Sequence, residues 1–199
     1  DAWRPNWLLW VMLAVAAASG AGAAADLWWW PLPAAVRWAQ VAVEAPAAAL
    51  MLWLALRWGL VQSLKIRLLA MLHAGFVWLG VAWALAALSH ALQALGHDGL
   101  GLAPTHALGM GYLGATLIAM ITRVAAGHSG RPLAADDVAW TLYWALQAGA
   151  VLRVGAALWP ALDAPLVLAA VAAWAAAATG WAWRYGGWLG RPRGDGRPG

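Results

Sequence analysis

Cysteine is absent from this 199-residue chain, and only 10% of its residues carry a charge. Without thiols there can be no disulfide, thiolate metal centre or redox dithiol, so any metal or haem must be held by His, Met or carboxylate. With so little charge the chain cannot coat a soluble globule, in which about a quarter of residues are charged. Also missing are Gly-x-Ser-x-Gly, a phosphate loop with Lys-Ser or Lys-Thr, His-Glu-x-x-His and paired catalytic carboxylates, which leaves hydrolase and kinase readings without a site. What is present is apolar: 64% of the residues are hydrophobic. The net charge of +4 comes from few residues, too few for a nucleic-acid surface. The composition predicts an integral membrane protein whose first partner is the lipid bilayer.

Hydrophobic segments predict an all-α, polytopic transmembrane helix bundle of about six spans, near 7–25, 34–56, 68–92, 105–122, 138–158 and 165–183. The first run ends in small residues and can be read as a signal peptide; a retained span is preferred because the charge pattern then comes out even. With the N-terminus cytoplasmic, Arg4, Arg57, Lys65, Arg67, Arg123, Arg131, Arg184, Arg191, Arg193 and Arg197 share one side. Only Arg37 and Arg153 of the 12 basic residues lie on the other. Positive residues favour the cytoplasmic face, so both termini are expected there. The transmembrane domain is expected over 1–190, followed by a solvated, poorly ordered cytoplasmic tail over 191–199. Asp1 in place of Met predicts a fragment or a processed product.

Most of the 18 tryptophans fit the interfacial belt of a membrane protein: Trp28, Trp29 and Trp30 in the first outer turn, Trp53 and Trp58 at the inner end of span two, Trp181, Trp183 and Trp188 at the last exit. Gly109-Met110-Gly111-Tyr112-Leu113-Gly114 matches GxGxxG. A dinucleotide fingerprint needs a strand before it, so these glycines read as a helix-packing face.

The chain is arranged around the stretch from His106 to Leu133, which carries two histidines and two arginines at the ends of one span. At its inner end Gly127 is placed to stop the helix in a left-handed conformation, Gly130 allows a second bend and Pro132 forbids continuation. Asp136 or Asp137 then caps the next span. Arg123 and Arg131 suit either lipid phosphates or the anionic groups of a cofactor. His73 and His128 lie near the inner face, and His90, His97 and His106 near the outer. His73 and His90 are about 25 Å apart along one helix and cannot share a metal. No histidine pair has a diagnostic short spacing.

Glu44 lies about 15 Å into span two by the helical rise. A charge that deep is expected to face the bundle interior and to pair, with Arg153 or Arg37. The alternatives are a proton-relay role for Glu44 and a propionate-binding role for Arg153.

Met120-Ile121-Thr122-Arg123-Val124-Ala125-Ala126-Gly127-His128-Ser129-Gly130-Arg131-Pro132-Leu133, together with His106-Ala107-Leu108, resembles the NnrS family of bacterial membrane proteins. Leu72-His73-Ala74-Gly75-Phe76-Val77-Trp78-Leu79 and the terminal Arg191-Pro192-Arg193 run through Asp195-Gly196-Arg197-Pro198-Gly199 resemble its pattern too. The resemblance implies an inner-membrane protein of the nitric oxide response that binds haem and copper and protects against nitrosative stress. It implies His73, His106, Arg123, His128 and Arg131 as cofactor-binding positions: His73 with His128 as an inner haem or copper pair, His106 as an outer ligand, and Arg123 and Arg131 for a propionate. The chain resembles the C-terminal half of such a protein, so an N-terminal half or a second copy is an expected partner, with nitric oxide as a ligand. The rival reading is half of a transporter or channel, with Glu44, Arg153 and Gln147 lining a path. Redox or nitric oxide chemistry is left open by the lack of a catalytic motif.

Overall fold

A computed structural model describes residues 5–188 and 190–196. Arg4 and Arg197, used in the charge pattern, and residues 197–199 of the predicted tail lie outside these. Among the described residues the fold is all-helical, with α1 (Asn6–Trp29), α2 (Ala34–Arg57), a single turn α3 (Leu60–Ser63) and α4 (Arg67–Ala94). Then come α5 (Ala103–His106), a π-helical stretch (Ala107–Gly114) and α6 (Ala115–His128), which run on as one rod, followed by α7 (Asp137–Leu158) and α8 (Asp163–Gly186).

Five helical segments are long and apolar enough to cross a membrane: Asn6–Trp29, Ala34–Arg57, Arg67–Ala94, Ala103–His128 and Pro160–Gly186. The fifth predicted span is helical as well, but α7 is not one of the five. Asp137, Gln147 and Arg153 dilute its apolar content, and it buries a long face that includes Tyr143, Leu146, Gln147 and Ala150. Gln147 of α7 is thus sheltered by the neighbouring helices, as expected for a polar group at membrane depth. By contrast α1 and α8 leave most of their apolar surface uncovered, ready for lipid.

Small residues set the packing. A Cβ on Gly75 of α4 would sit 2.6 Å from Thr116 Oγ1, one on Gly80 would sit 2.7 Å from Leu52, and one on Gly111 would meet the Trp78 ring at 2.3 Å. Without a hydrophobic force between helices in lipid, such close approach supplies the van der Waals contact that holds them. Few but short polar bonds add direction. Trp78 Nε1 donates to Gln147 Oε1 at 2.7 Å, and Tyr143 donates to the Met71 carbonyl at 2.5 Å, so α4 and α7 are tied twice. Asp136 caps α7 by accepting from the Ala139 amide at 2.9 Å, and it also pairs with Arg184.

Trp28, Trp29, Trp30, Trp53 and Trp183 are exposed, as a belt requires. The belt reading fails for Trp181, which turns inward to donate to Thr122 Oγ1 at 2.8 Å, and for Trp188, which packs against the core beside Tyr185.

Candidate functional site

The inner end of the rod is shaped by its last turn. The Arg131 amide bonds back to the Ala126 carbonyl at 3.0 Å and the Gly130 amide to Gly127 at 3.2 Å. This pair of bonds closes a helix around a left-handed residue. That residue is Gly130, at φ +67°, not Gly127, which stays within α6. The correction has a local cause: the Ser129 amide donates to the Ala125 carbonyl at 3.1 Å, carrying the helical bonding past Gly127, and the Ser129 hydroxyl adds a bond to the Ala126 carbonyl.

His128 therefore sits on the final helical residue, exposed, between two cavities. One, about 400 Å³, is walled by Ile121, Val124, Trp181, Trp188 and Arg191. The other, about 380 Å³, is walled by Met120, Arg123, Leu133 and Arg193. His128 lines both. Trp181, Tyr185 and Trp188 form a run of rings with centroids 4.8 and 4.6 Å apart. The Arg131 guanidinium lies 4.4 Å over the Trp188 ring, a cation–π contact. One Arg131 nitrogen, Nη1, is buried without a hydrogen-bond partner.

The described part of the tail, expected to be solvated, folds back onto this turn. The Gly194 amide donates to the Ser129 carbonyl at 2.8 Å. Arg193 holds Asp195 through two bonds of 2.9 and 2.7 Å, and Asp195 fills the space a Cβ on Gly130 would need. The Asp195 carboxylate holds the exposed Arg193 above the ordinary arginine pKa, the hydrogen bond being the larger cause.

Three of the five carried-over residues, Arg123, His128 and Arg131, are thus brought together, and two are not. His73 donates from Nδ1 to the Leu69 carbonyl of its own helix at 3.3 Å. Gly75 packs on Thr116, so His73 stands on the order of 15 Å short of His128 along the bundle. The inner histidine pair does not form. His106 lies at the opposite end, at the junction of α5 and the π-helical stretch, with Nε2 buried and unbonded and Arg153 as its charged neighbour. Among the described residues no three His, Asp or Glu side chains converge as a metal site.

The outer end holds a second polar constellation. Glu44 and Arg153 do not pair: Glu44 Oε2 accepts from His90 Nδ1 at 2.8 Å, because α2 and α4 pack directly together while Arg153 faces the rod. Arg37 meets Asp26 at 2.5 Å and donates to Gln40 at 3.0 Å. These groups border a cavity of about 700 Å³ that includes Trp30, Ser89 and Thr105 in its wall. Arg37 is 2% exposed and Glu44 5%.

The sequence pointed to Glu44 and Arg37 by depth but gave no sign of Asp26, which closes α1, or of Arg191, Arg193, Trp181 and Trp188 as walls of the inner cleft.

A model of the family described as NnrS protein matches residues 1–193. No curated protein and no solved structure matches the chain.

Proposed function

The chain belongs to the NnrS family, and from that premise we propose that it is a haem-binding protein of the bacterial inner membrane, acting in the nitric oxide response and in tolerance of nitrosative stress. The observation that carries this is His128: a lone imidazole opening into two cavities bordered by arginines and tryptophans. A flat, dianionic cofactor fits this donor set. His128 would supply the protein ligand to the iron, and Arg131, with its unsatisfied Nη1, and Arg123 would take the carboxylates. Bound haem would supply an iron centre able to take nitric oxide as a ligand. The remaining work falls to the chain: Trp181 and Trp188 keep water from one face, and the Arg193–Asp195 hairpin covers the turn.

Copper fits less well. His73, His106 and His128 stand apart, so a copper site would draw further donors from a second copy or another segment, and no step is assigned to it. In the membrane, six crossings with α7 counted would put both termini and the His128 cleft on the cytoplasmic side.

The test is a reduced-minus-oxidised optical spectrum of the chain purified in detergent and supplied with haem. Haem bands are expected, and His128→Ala should abolish them while Arg123→Gln weakens binding. A blank spectrum from the unaltered chain would overturn the reading. The transporter reading takes its support from the outer cavity; it requires ion-coupled uptake that Glu44→Gln removes, in a chain without a chromophore.

A further inference from the structure

The outer cavity has no part in haem binding. Its groups are nonetheless ordered by depth. Asp26 stands at the outer end of α1, a quarter exposed. His90 lies next, with Nε2 3.9 Å from Asp26 Oδ2 and Nδ1 2.8 Å from Glu44 Oε2. Glu44 is deepest, about 15 Å from the start of α2 by the helical rise. Arg37 fixes Asp26 Oδ1 at 2.5 Å, and the second carboxylate oxygen, which accepts from Gln40 Nε2 at 3.4 Å, faces the imidazole. Inward of Glu44, Met51, Leu54, Leu79 and Trp83 close the core between α2 and α4.

A permanent cation beside Glu44 would neutralise it outright. The partner chosen is instead the side chain whose charge changes near neutral pH, and its two nitrogens face two different carboxylates. We propose that Asp26, His90 and Glu44 form a one-sided proton relay, connecting a buried carboxylate to water on the Asp26 face and sealed from the opposite face.

In one transfer Asp26, protonated from water on its face, passes the proton through a water bridging the 3.9 Å gap to His90 Nε2, and His90 releases the Nδ1 proton to Glu44 Oε2. The imidazole ends neutral with its hydrogen on the other nitrogen, and Glu44 ends as the neutral acid. No electron moves and no bond other than those to hydrogen changes. The reverse transfer returns the proton, so the relay is a store and not a path. Of the charged and titratable groups around it, α1 brings Asp26 and α2 brings Arg37. The α5 segment brings Thr105 to the wall, while His106 lies with Arg153.

Dicyclohexylcarbodiimide, which modifies protonated carboxyl groups in apolar surroundings, tests this on the full chain in oriented liposomes with impermeant buffers on each side. Glu44 labelling, located by peptide mass, should fall about tenfold as pH on the Asp26 face rises through the carboxyl and imidazole range and should ignore the other face. Glu44→Gln should be unlabelled. His90→Gln should leave labelling that follows neither face while keeping the haem bands. Labelling of the unaltered chain that follows the opposite face, or that ignores pH, overturns the relay even where a variant fails to fold. Either result leaves the His128 reading standing, because the two sites share no residue.

Discussion

The two ends of this bundle both gather charge, but they treat it oppositely. At the outer end Arg37 meets Asp26, and His90 donates to Glu44. At the inner end Arg67, Arg184 and Arg193 meet Asp137, Asp136 and Asp195, yet the surplus is positive: among the described residues Arg123 and Arg191 make no ion pair while Arg131 leans on an indole. A closed network at membrane depth stores charge internally, because desolvated groups must be satisfied where they stand. An open arginine cleft at the membrane surface is completed from outside, by an anion. The same residue types therefore serve retention at one end and recognition at the other.

The comparison breaks most visibly at the outer pair. Asp26→Ala would leave the Arg37 guanidinium buried and unmatched, and should destabilise the protein by about 3–5 kcal/mol. Thermal unfolding in detergent, followed by tryptophan fluorescence, measures it, and Asp26→Ala with Arg37→Met should recover most of the loss. A loss within the noise would show that Arg37 already reaches solvent or lipid headgroups.

Arg131→Gln should do the reverse, leaving the fold intact and weakening haem binding by about 1.5–3 kcal/mol, the range for a bond to a charged group. Titration with haem reads it, and rising salt should narrow the difference between wild type and variant. Gly130→Ala comes next, at about 1–2 kcal/mol for a left-handed backbone that now carries a Cβ. Because that Cβ would meet Asp195, 2.6 Å away, trypsin should cleave after Arg193 faster than in the parent. Smallest of all is Asp195→Asn. Its Arg193 partner lies two residues away on the same tail, so the melting temperature should not move and only tail cleavage should rise.

Much of this could be read in the sequence where one segment carries its own instructions. Ser129, Gly130 and Pro132 sit within a few residues of one another, and their local bonding makes the turn that presents His128. Length and apolarity likewise announce helices that need no partner to be recognised. What could not be read depends on register between distant segments. His90 and Glu44 meet because Gly80 packs on Leu52, and no pattern within either helix states that alignment. Trp181 and Trp183 show the same limit at short range. One is bonded to Thr122 and the other is 89% exposed, yet α8 is apolar on every side, so its periodicity does not choose a face. Hence His73, placed near His128 by side of the membrane alone, was grouped with a residue it does not approach.

The π-helical stretch Ala107–Gly114 has a consequence for how the two ends are linked. In an unbroken α-helix, His106 and His128 would be separated by about six turns and would point in nearly the same direction. The wider turn, with its i to i+5 bonding, advances less per residue and sets the azimuth of His106 apart from that of His128. The rod is thus two shafts joined out of phase, and each end keeps its own bearing toward its neighbours.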